Sequence, residues 1–164
     1  MIRTLSCVLA ALLVFSFAPL AASAQDAPLL DGQVFVGMIG PAENPDLPDR
    51  LLFRDGQFWS DICTECGFLP GPYSAHLTDD GTAFSGTLTS EDRGVFDYEG
   101  LIQLDGTIEV NISWKRKRWY WTAQREIVFR GKKDAPAHQP PELQMVLLQI
   151  EQGDPSTNPR CARF

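Results

Sequence analysis

The sequence predicts an all-β fold: about eight antiparallel strands in an up-and-down meander, closed into a small barrel, with a short C-terminal helix or an extra strand. Three observations carry this expectation. Asp-Gly pairs recur at Asp31-Gly32, Asp55-Gly56, Asp80-Gly81 and Asp105-Gly106, at intervals of 24, 25 and 25 residues, and Gly131 falls one interval further on. An Asp-Gly pair between alternating apolar residues marks a hairpin, because glycine takes the positive φ of a tight strand-to-strand turn. A period near 25 residues suits two strands of about ten, one tight turn and one looser loop. Between the pairs, apolar and polar residues alternate with period two. Finally, 13 glycines and 12 prolines are spread along a chain without a long helical period, which disfavours a helical bundle.

The first 24 residues read as a signal peptide. Arg3 supplies the positive start, Leu5 to Leu20 the apolar stretch, and Ala22-Ser23-Ala24 a small-residue cleavage site. The apolar run is short for a membrane span, and almost no hydrophobic stretch precedes Cys7, which argues against a lipid-anchored cysteine. Cleavage near Ala24 implies a periplasmic or secreted protein. It removes only Arg3 among the charged residues, leaving 13 Lys and Arg against 21 Asp and Glu, a net charge of −8. That acidity disfavours nucleic acid, or an anionic membrane, as a partner for the surface as a whole. The remaining chain divides into a barrel domain, 25–131, and a C-terminal extension, 132–164, packed on it.

After a short leader, Gln33 to Ile39 reads as the first strand. The stretch 41–48 (PAENPDLP) holds three prolines and is expected to be a loop. Leu51 to Phe53, the turn Asp55-Gly56 and Phe58 to Cys63 make the first clear hairpin, and 64–72 (TECGFLPGP) a second long loop. Tyr73, Ala75 and Leu77 share a face. A two-residue Asp80-Gly81 turn pairs Leu77 with Phe84, Ala75 with Gly86 and Tyr73 with Leu88.

The next hairpin permits a sharper expectation. Phe96, Tyr98, Ile102 and Leu104 share one parity, and Ile108, Val110, Ile112 and Trp114 share another. A two-residue loop at Asp105-Gly106 mixes core and solvent faces, since a slip of one residue turns every side chain over. A three-residue loop, 104–106 with Gly106 left-handed, instead pairs Ile102 with Ile108, Tyr98 with Ile112 and Phe96 with Trp114. The basic stretch Lys115 to Arg118 then turns the chain into a last strand bearing Trp119, Trp121, Ala123, Ile127 and Phe129. The outward residues Thr107, Glu109, Asn111 and Ser113 are polar, unlike the apolar outer band of a membrane barrel. In the tail, Leu143, Val146, Leu147 and Ile150 match a helical stripe, although MVLLQI also suits a closing strand. Alternate connections of a meander lie at opposite ends. The Asp-Gly turns therefore close one end, and the loops near 41–49, 64–72, 90–94 and 115–118 crowd the other, where a binding function is expected.

The whole pattern over 33–131 resembles the small up-and-down barrels of the lipocalin- or streptavidin-like group. Residues 55–73 (DGQFWSDICTECGFLPGPY) and 94–110 (GVFDYEGLIQLDGTIEV) are also similar to small exported bacterial proteins without assigned activity. The glycine-x-tryptophan signature of lipocalins is absent, with Val36-Gly37-Met38 in the comparable region. The resemblance implies a non-catalytic binding barrel and transfers no ligand-contacting residue.

Cys63-Thr64-Glu65-Cys66 is the motif most suggestive of chemistry. A redox pair needs a low-pKa thiolate, usually at a helix N-terminus. Here Cys63 is expected to end a strand, with Gly67 and Pro70 opposing a helix. A zinc site needs further ligands, and Cys161, His76 and His138 are the remaining candidates. In an oxidising compartment, Cys161 bridged to Cys63 or Cys66, or a Cys63–Cys66 bridge, is the structural alternative. Trp114, Lys115, Arg116, Lys117, Arg118, Trp119 and Trp121 place four cations among large rings. They either grip an anionic ligand with cation–π support or form a solvated turn whose rings point into the core. With Tyr73, the rings could also line a pocket for a small apolar ligand, or they could fill the lumen. His76 has solvent parity, and no residue pattern indicates a catalytic group, cofactor or metal site. The expected function is binding of a small apolar or anionic ligand, or of an envelope protein, at the long-loop end. A filled interaction module and a thiol-active protein are the alternatives.

Overall fold

The computed structural model describes residues 28–134 and 138–163; the signal-peptide reading of 1–24 lies outside them. Eight antiparallel strands form a closed barrel in which each pairs with its sequence neighbours and the last pairs with the first. They are β1 (Val34–Gly40), β2 (Leu47–Arg54), β3 (Gln57–Ser60), β4 (Gly71–Thr78), β5 (Gly81–Ser90), β6 (Gly94–Gln103), β7 (Thr107–Lys117) and β8 (Thr122–Lys133). Helix α1 (Asp61–Glu65) lies between β3 and β4, and helix α2 (Leu143–Gln152) and a 3-10 turn, Pro159–Arg163, follow the barrel. The tail stripe is thus helical, and β8 closes the sheet without it.

The Asp-Gly pairs serve different ends. Asp55-Gly56 makes a two-residue hairpin with both residues at positive φ. Asp105-Gly106 closes the expected three-residue loop, with Gly106 at φ +83° and its N–H donating to the Gln103 carbonyl at 2.9 Å. The observed β6–β7 pairs are Ile102 with Ile108, Tyr98 with Ile112 and Phe96 with Trp114. At the third pair the register differs from expectation. Asp79-Asp80 is the turn, Gly81 opens β5, and Tyr73 pairs with Gly86 and Ala75 with Phe84. The slip is two residues, so every side chain keeps its face. Asp31-Gly32 precedes β1, and the Asp31 carboxylate accepts the Gly56 N–H at 3.1 Å, joining the first pair to the second. Gly131, the fifth member of the period, sits opposite Gly37 where β8 meets β1. A Cβ there would come within 2.4 Å of the Val36 carbonyl oxygen, so glycine permits the closing strands to touch.

Two further expectations are corrected. Pro48 lies inside β2, paired with Met38. The β2–β3 ladder begins only at Leu51, so no N–H is needed from Pro48 on that side. The second strand of the first hairpin stops at Ser60 and turns into α1 rather than running to Cys63. The resulting β3–β4 seam is the shortest in the barrel, with Gln57 opposite Pro72 and Phe58 opposite Gly71.

The lumen is filled by a column of rings. Tyr73 meets Phe53 at 5.1 Å, Phe53 meets Phe58 at 5.9 Å and Phe58 meets Tyr98 at 5.1 Å. Tyr98 touches Phe96, which contacts Phe68 at 4.7 Å and Trp114 at 6.5 Å. Half of these pairs are edge-to-face, the arrangement that aromatic quadrupoles favour. Gly86 and Gly100 leave the space this requires, since a Cβ would lie 2.3 Å from the Phe58 ring and 2.2 Å from the Phe84 ring. Outside the wall, α2 lays Leu143, Val146 and Ile150 over Val34, Leu52 and Trp59. Trp59 therefore faces α2 and Phe58 the lumen. Arg54 anchors the start of α2, donating to the Pro140 carbonyl at 2.8 Å and pairing with Glu142.

If ring space fixes these glycines, Gly100→Ala should cost roughly 1–3 kcal/mol by overpacking. Adding Phe84→Leu should recover part of that loss. The check is a double-mutant cycle of denaturant unfolding, in which simple additivity would argue against the contact.

Candidate functional site

At the loop end, Ser60 starts α1 by accepting the Cys63 N–H on its hydroxyl at 3.1 Å, as a side-chain N-cap. Asp49, buried on β2, accepts the next free donor, the Ile62 N–H, at 3.0 Å and the Ser60 hydroxyl at 2.7 Å. Two of the unsatisfied donors of the first turn are thereby matched. Burial pushes the Asp49 carboxyl up to about 7, against the opposing pull of those hydrogen bonds and the Arg50 N–H. Arg50 also pairs with Asp61 at 2.5 Å, outside the buried cluster.

Cys63 points into the core. Its sulfur lies 3.3 Å from the Tyr98 hydroxyl, and burial, reinforced by Asp49, pushes the thiol up to about 12. Among the described residues it is the free cysteine, and Cys66 bridges Cys161 across 95 residues, with Cα atoms 5.3 Å apart. The long-range bridge is therefore present, with Cys66 as its partner. Cys63 lies within a helix and does not end a strand as expected. Burial holds its thiol in the neutral form, and no cation among the described residues offsets that burial.

The bridge seats the tail across the barrel mouth. Arg93, on the β5–β6 turn, donates to the Cys161 carbonyl at 2.8 Å and to that of Pro155 at 3.5 Å. Its own carbonyl accepts the Trp114 indole N–H at 2.8 Å. Glu65 pairs with Arg160 at 2.8 Å and accepts from Asn158 at 3.1 Å. Arg163 pairs with Asp46 of the β1–β2 loop at 2.9 Å, and its carbonyl accepts from Arg125 of β8. Loops that the meander brings to one end are thus tied together by the tail, and α1, Phe68 and Cys161 fill the mouth.

The predicted binding residues separate into two groups. Trp114 is 9 % exposed and belongs to the ring column. Tyr73 is at the opposite end, where its hydroxyl donates to Asp31 at 2.8 Å and accepts the Leu30 N–H at 3.2 Å. Both are built into the scaffold. Lys115, Arg116 and Lys117 continue β7, and the turn proper is Arg118 to Trp121, closed by the Arg118 N–H donating to the Trp121 carbonyl at 2.8 Å. Trp119 is 93 %, Tyr120 68 % and Trp121 41 % exposed, so these tryptophans do not turn into the core as the strand parity suggested. The extra turn residues break the alternation before β8 begins. Lys115 reaches Asp97 at 3.3 Å, while Lys117 and Arg118 have no ion pair among the described residues. Arg116 leans inward, its Nε buried without a hydrogen-bond partner.

Elsewhere, a groove of about 520 Å³ crosses the outer face of β4 to β8, lined by Ser74, Ser85, Thr87, Asp97 and Glu99 among others. Among the described residues, no His, Cys, Asp and Glu cluster could hold a metal, and no helix is long and apolar enough to cross a membrane. Comparison with protein-family models, curated proteins and solved structures finds no match to this chain. Sequence reasoning missed Asp49 and Arg93, since an isolated carboxylate or arginine in a loop-rich stretch has no spacing signal.

Three tests follow from this geometry. The unfolded chain releases the Asp49 proton near the ordinary carboxyl value of 3.8, the folded chain near 7. Folding thus takes up a proton between these limits, and this contribution to stability is complete below the lower value and lost as pH rises to about 7. Relative to Asp49→Asn, the wild-type protein should lose roughly 2–4 kcal/mol across that window, read by denaturant unfolding at several pH values; parallel profiles would refute the assignment. Cys161→Ser should cost about 4–5 kcal/mol on the loop-entropy account. A native thiol titration should find Cys63 unreactive until the protein unfolds, and rapid labelling would contradict its burial.

Proposed function

We propose that this protein is an exported, non-catalytic binding module that holds a basic, aromatic hairpin tip out to an anionic partner. The observation carrying the proposal is the exposure of Trp119, Tyr120 and Trp121 beside Lys117 and Arg118, cations that have no ion pair among the described residues. Large rings are usually covered in a monomeric protein, and contiguous exposed ones mark interaction surfaces. The ring-filled lumen favours binding on the outside of the barrel over an enclosed small ligand. Thiol chemistry is disfavoured by the buried, raised Cys63 thiol.

The test uses the purified protein on immobilised heparin and on vesicles containing phosphatidylglycerol, across a salt series. Retention by at least one polyanion, weakened by salt, is expected. Lys117→Glu with Arg118→Glu should weaken it by at least about tenfold without lowering Tm, because two contributions of about 1 kcal/mol are reversed. Retention by neither surface, or by the variant equally, would overturn the reading.

A further inference from the structure

The rings at the tip narrow the partner more than the charge does. We propose that the β7–β8 tip docks on an anionic lipid bilayer, with Trp119, Tyr120 and Trp121 seated among the headgroups and Lys117 and Arg118 at the level of the phosphates. The inference rests on the binding-module reading above and specifies its partner.

Shape is the first argument. The three rings pack on one another, Trp119 to Tyr120 at 4.8 Å and Tyr120 to Trp121 at 6.4 Å, at a turn that ends a long hairpin. They form a projection, not a cleft. A folded partner or a polymer chain would have to supply a matching pocket for it, whereas a bilayer deforms around a wedge. Chemistry is the second. Tryptophan and tyrosine combine an apolar body with a polar edge, which is why they favour the zone between acyl chains and water. A polyanion in solution would neutralise the cations and leave the rings wet.

Order along the chain is the third. The cations come immediately before the rings, within about 10 Å along the strand at roughly 3.4 Å per residue. Rings inserted at headgroup depth therefore place the charges close to the lipid phosphates. The chain's net charge of −7, or −8 once Arg3 is removed with the expected signal peptide, opposes adhesion of the whole surface, but its distribution orients the molecule. Asp31, Asp55, Asp79, Asp80 and Asp105 lie at the far end, on the Asp-Gly turns. Glu91 and Asp92, on the β5–β6 turn, share the tip's end, so the attraction is local and screened beyond about 8 Å at physiological salt. The tip also has a firm base, since β7 and β8 stay paired up to Lys117 and Thr122.

Vesicles of phosphatidylcholine with increasing phosphatidylglycerol, some carrying brominated acyl chains, provide the test. Binding should rise at least about tenfold from the neutral to the anionic vesicles. Brominated lipid should quench tryptophan emission, and that quenching must come from the tip, because Trp59 and Trp114 are 1 % and 9 % exposed. Trp119→Ala with Trp121→Ala should abolish the quenching, and Lys117→Glu with Arg118→Glu should remove the preference for anionic lipid; unchanged Tm in both would show that the barrel is intact. Retention on heparin without lipid quenching would overturn the bilayer and leave the binding module standing with a polymeric anion as partner. Equal binding to neutral vesicles would overturn the headgroup recognition, and no binding to heparin or lipid would overturn both proposals.

Discussion

The narrow lumen of an eight-stranded barrel is the constraint on which this structure depends. Eight strands leave an interior that side chains can just fill, and here rings fill it from Tyr73 at one end to Trp114 at the other. Three members of the column carry a polar atom, and each finds its partner in a segment that seals the barrel. Tyr73 bonds to the leader at Leu30 and Asp31, Tyr98 meets Cys63 on α1, and Trp114 donates to the β5–β6 turn at Arg93. A buried hydroxyl or indole N–H without a partner costs a few kcal/mol. The closures at both ends are therefore specified by the same rings that fill the middle.

Closing the mouth moves the chemistry of interest to the outside. The ion pairs of Arg160 and Arg163 are half exposed, and pairs of that kind contribute little each. The covalent bridge from Cys66 to Cys161 supplies the larger share of the tail's attachment, and the arginines set its direction. With the mouth filled by α1, Phe68 and the tail, the β7–β8 tip is the part of this end where large rings remain exposed.

Legibility in the sequence followed the strength of alternation. In the β6–β7 hairpin both strands carry an apolar residue at nearly every second position, so only one loop length keeps the faces separate, and the register could be read residue by residue. Around Asp79-Asp80-Gly81 the turn signal is spread over three residues, and Leu77 and Thr82 accept either register without exposing a core side chain. Helix α1 had its own signal in Ser60 and Asp61, an N-cap followed by an acid in the first turn, but Gly67 and Pro70 obscured it by shortening the helix to five residues. Trp119 and Trp121 were misplaced because parity was carried back from Ala123 through a turn in which it has no meaning. Residues 115–121 were still recognisable as a concentrated site of charge and rings. The buried carboxylate of Asp49 depends on contacts distant in sequence, which no local pattern encodes.

The short β3–β4 seam has a consequence for how the molecule comes apart. A closed barrel has no free edge, and so offers no template for strand addition by another chain. Gln57 and Phe58 are the positions where that closure rests on the fewest backbone ladders. The connection spanning the seam contains α1, and Cys66 at its end is tied to the tail. Reduction of this bond therefore does more than loosen a terminus: it unfastens the strap over the shortest join, where opening would bare the edges of β3 and β4, with Phe58 and Trp59 on the first. By keeping that join closed, the disulfide would oppose edge-to-edge association as well as unfolding.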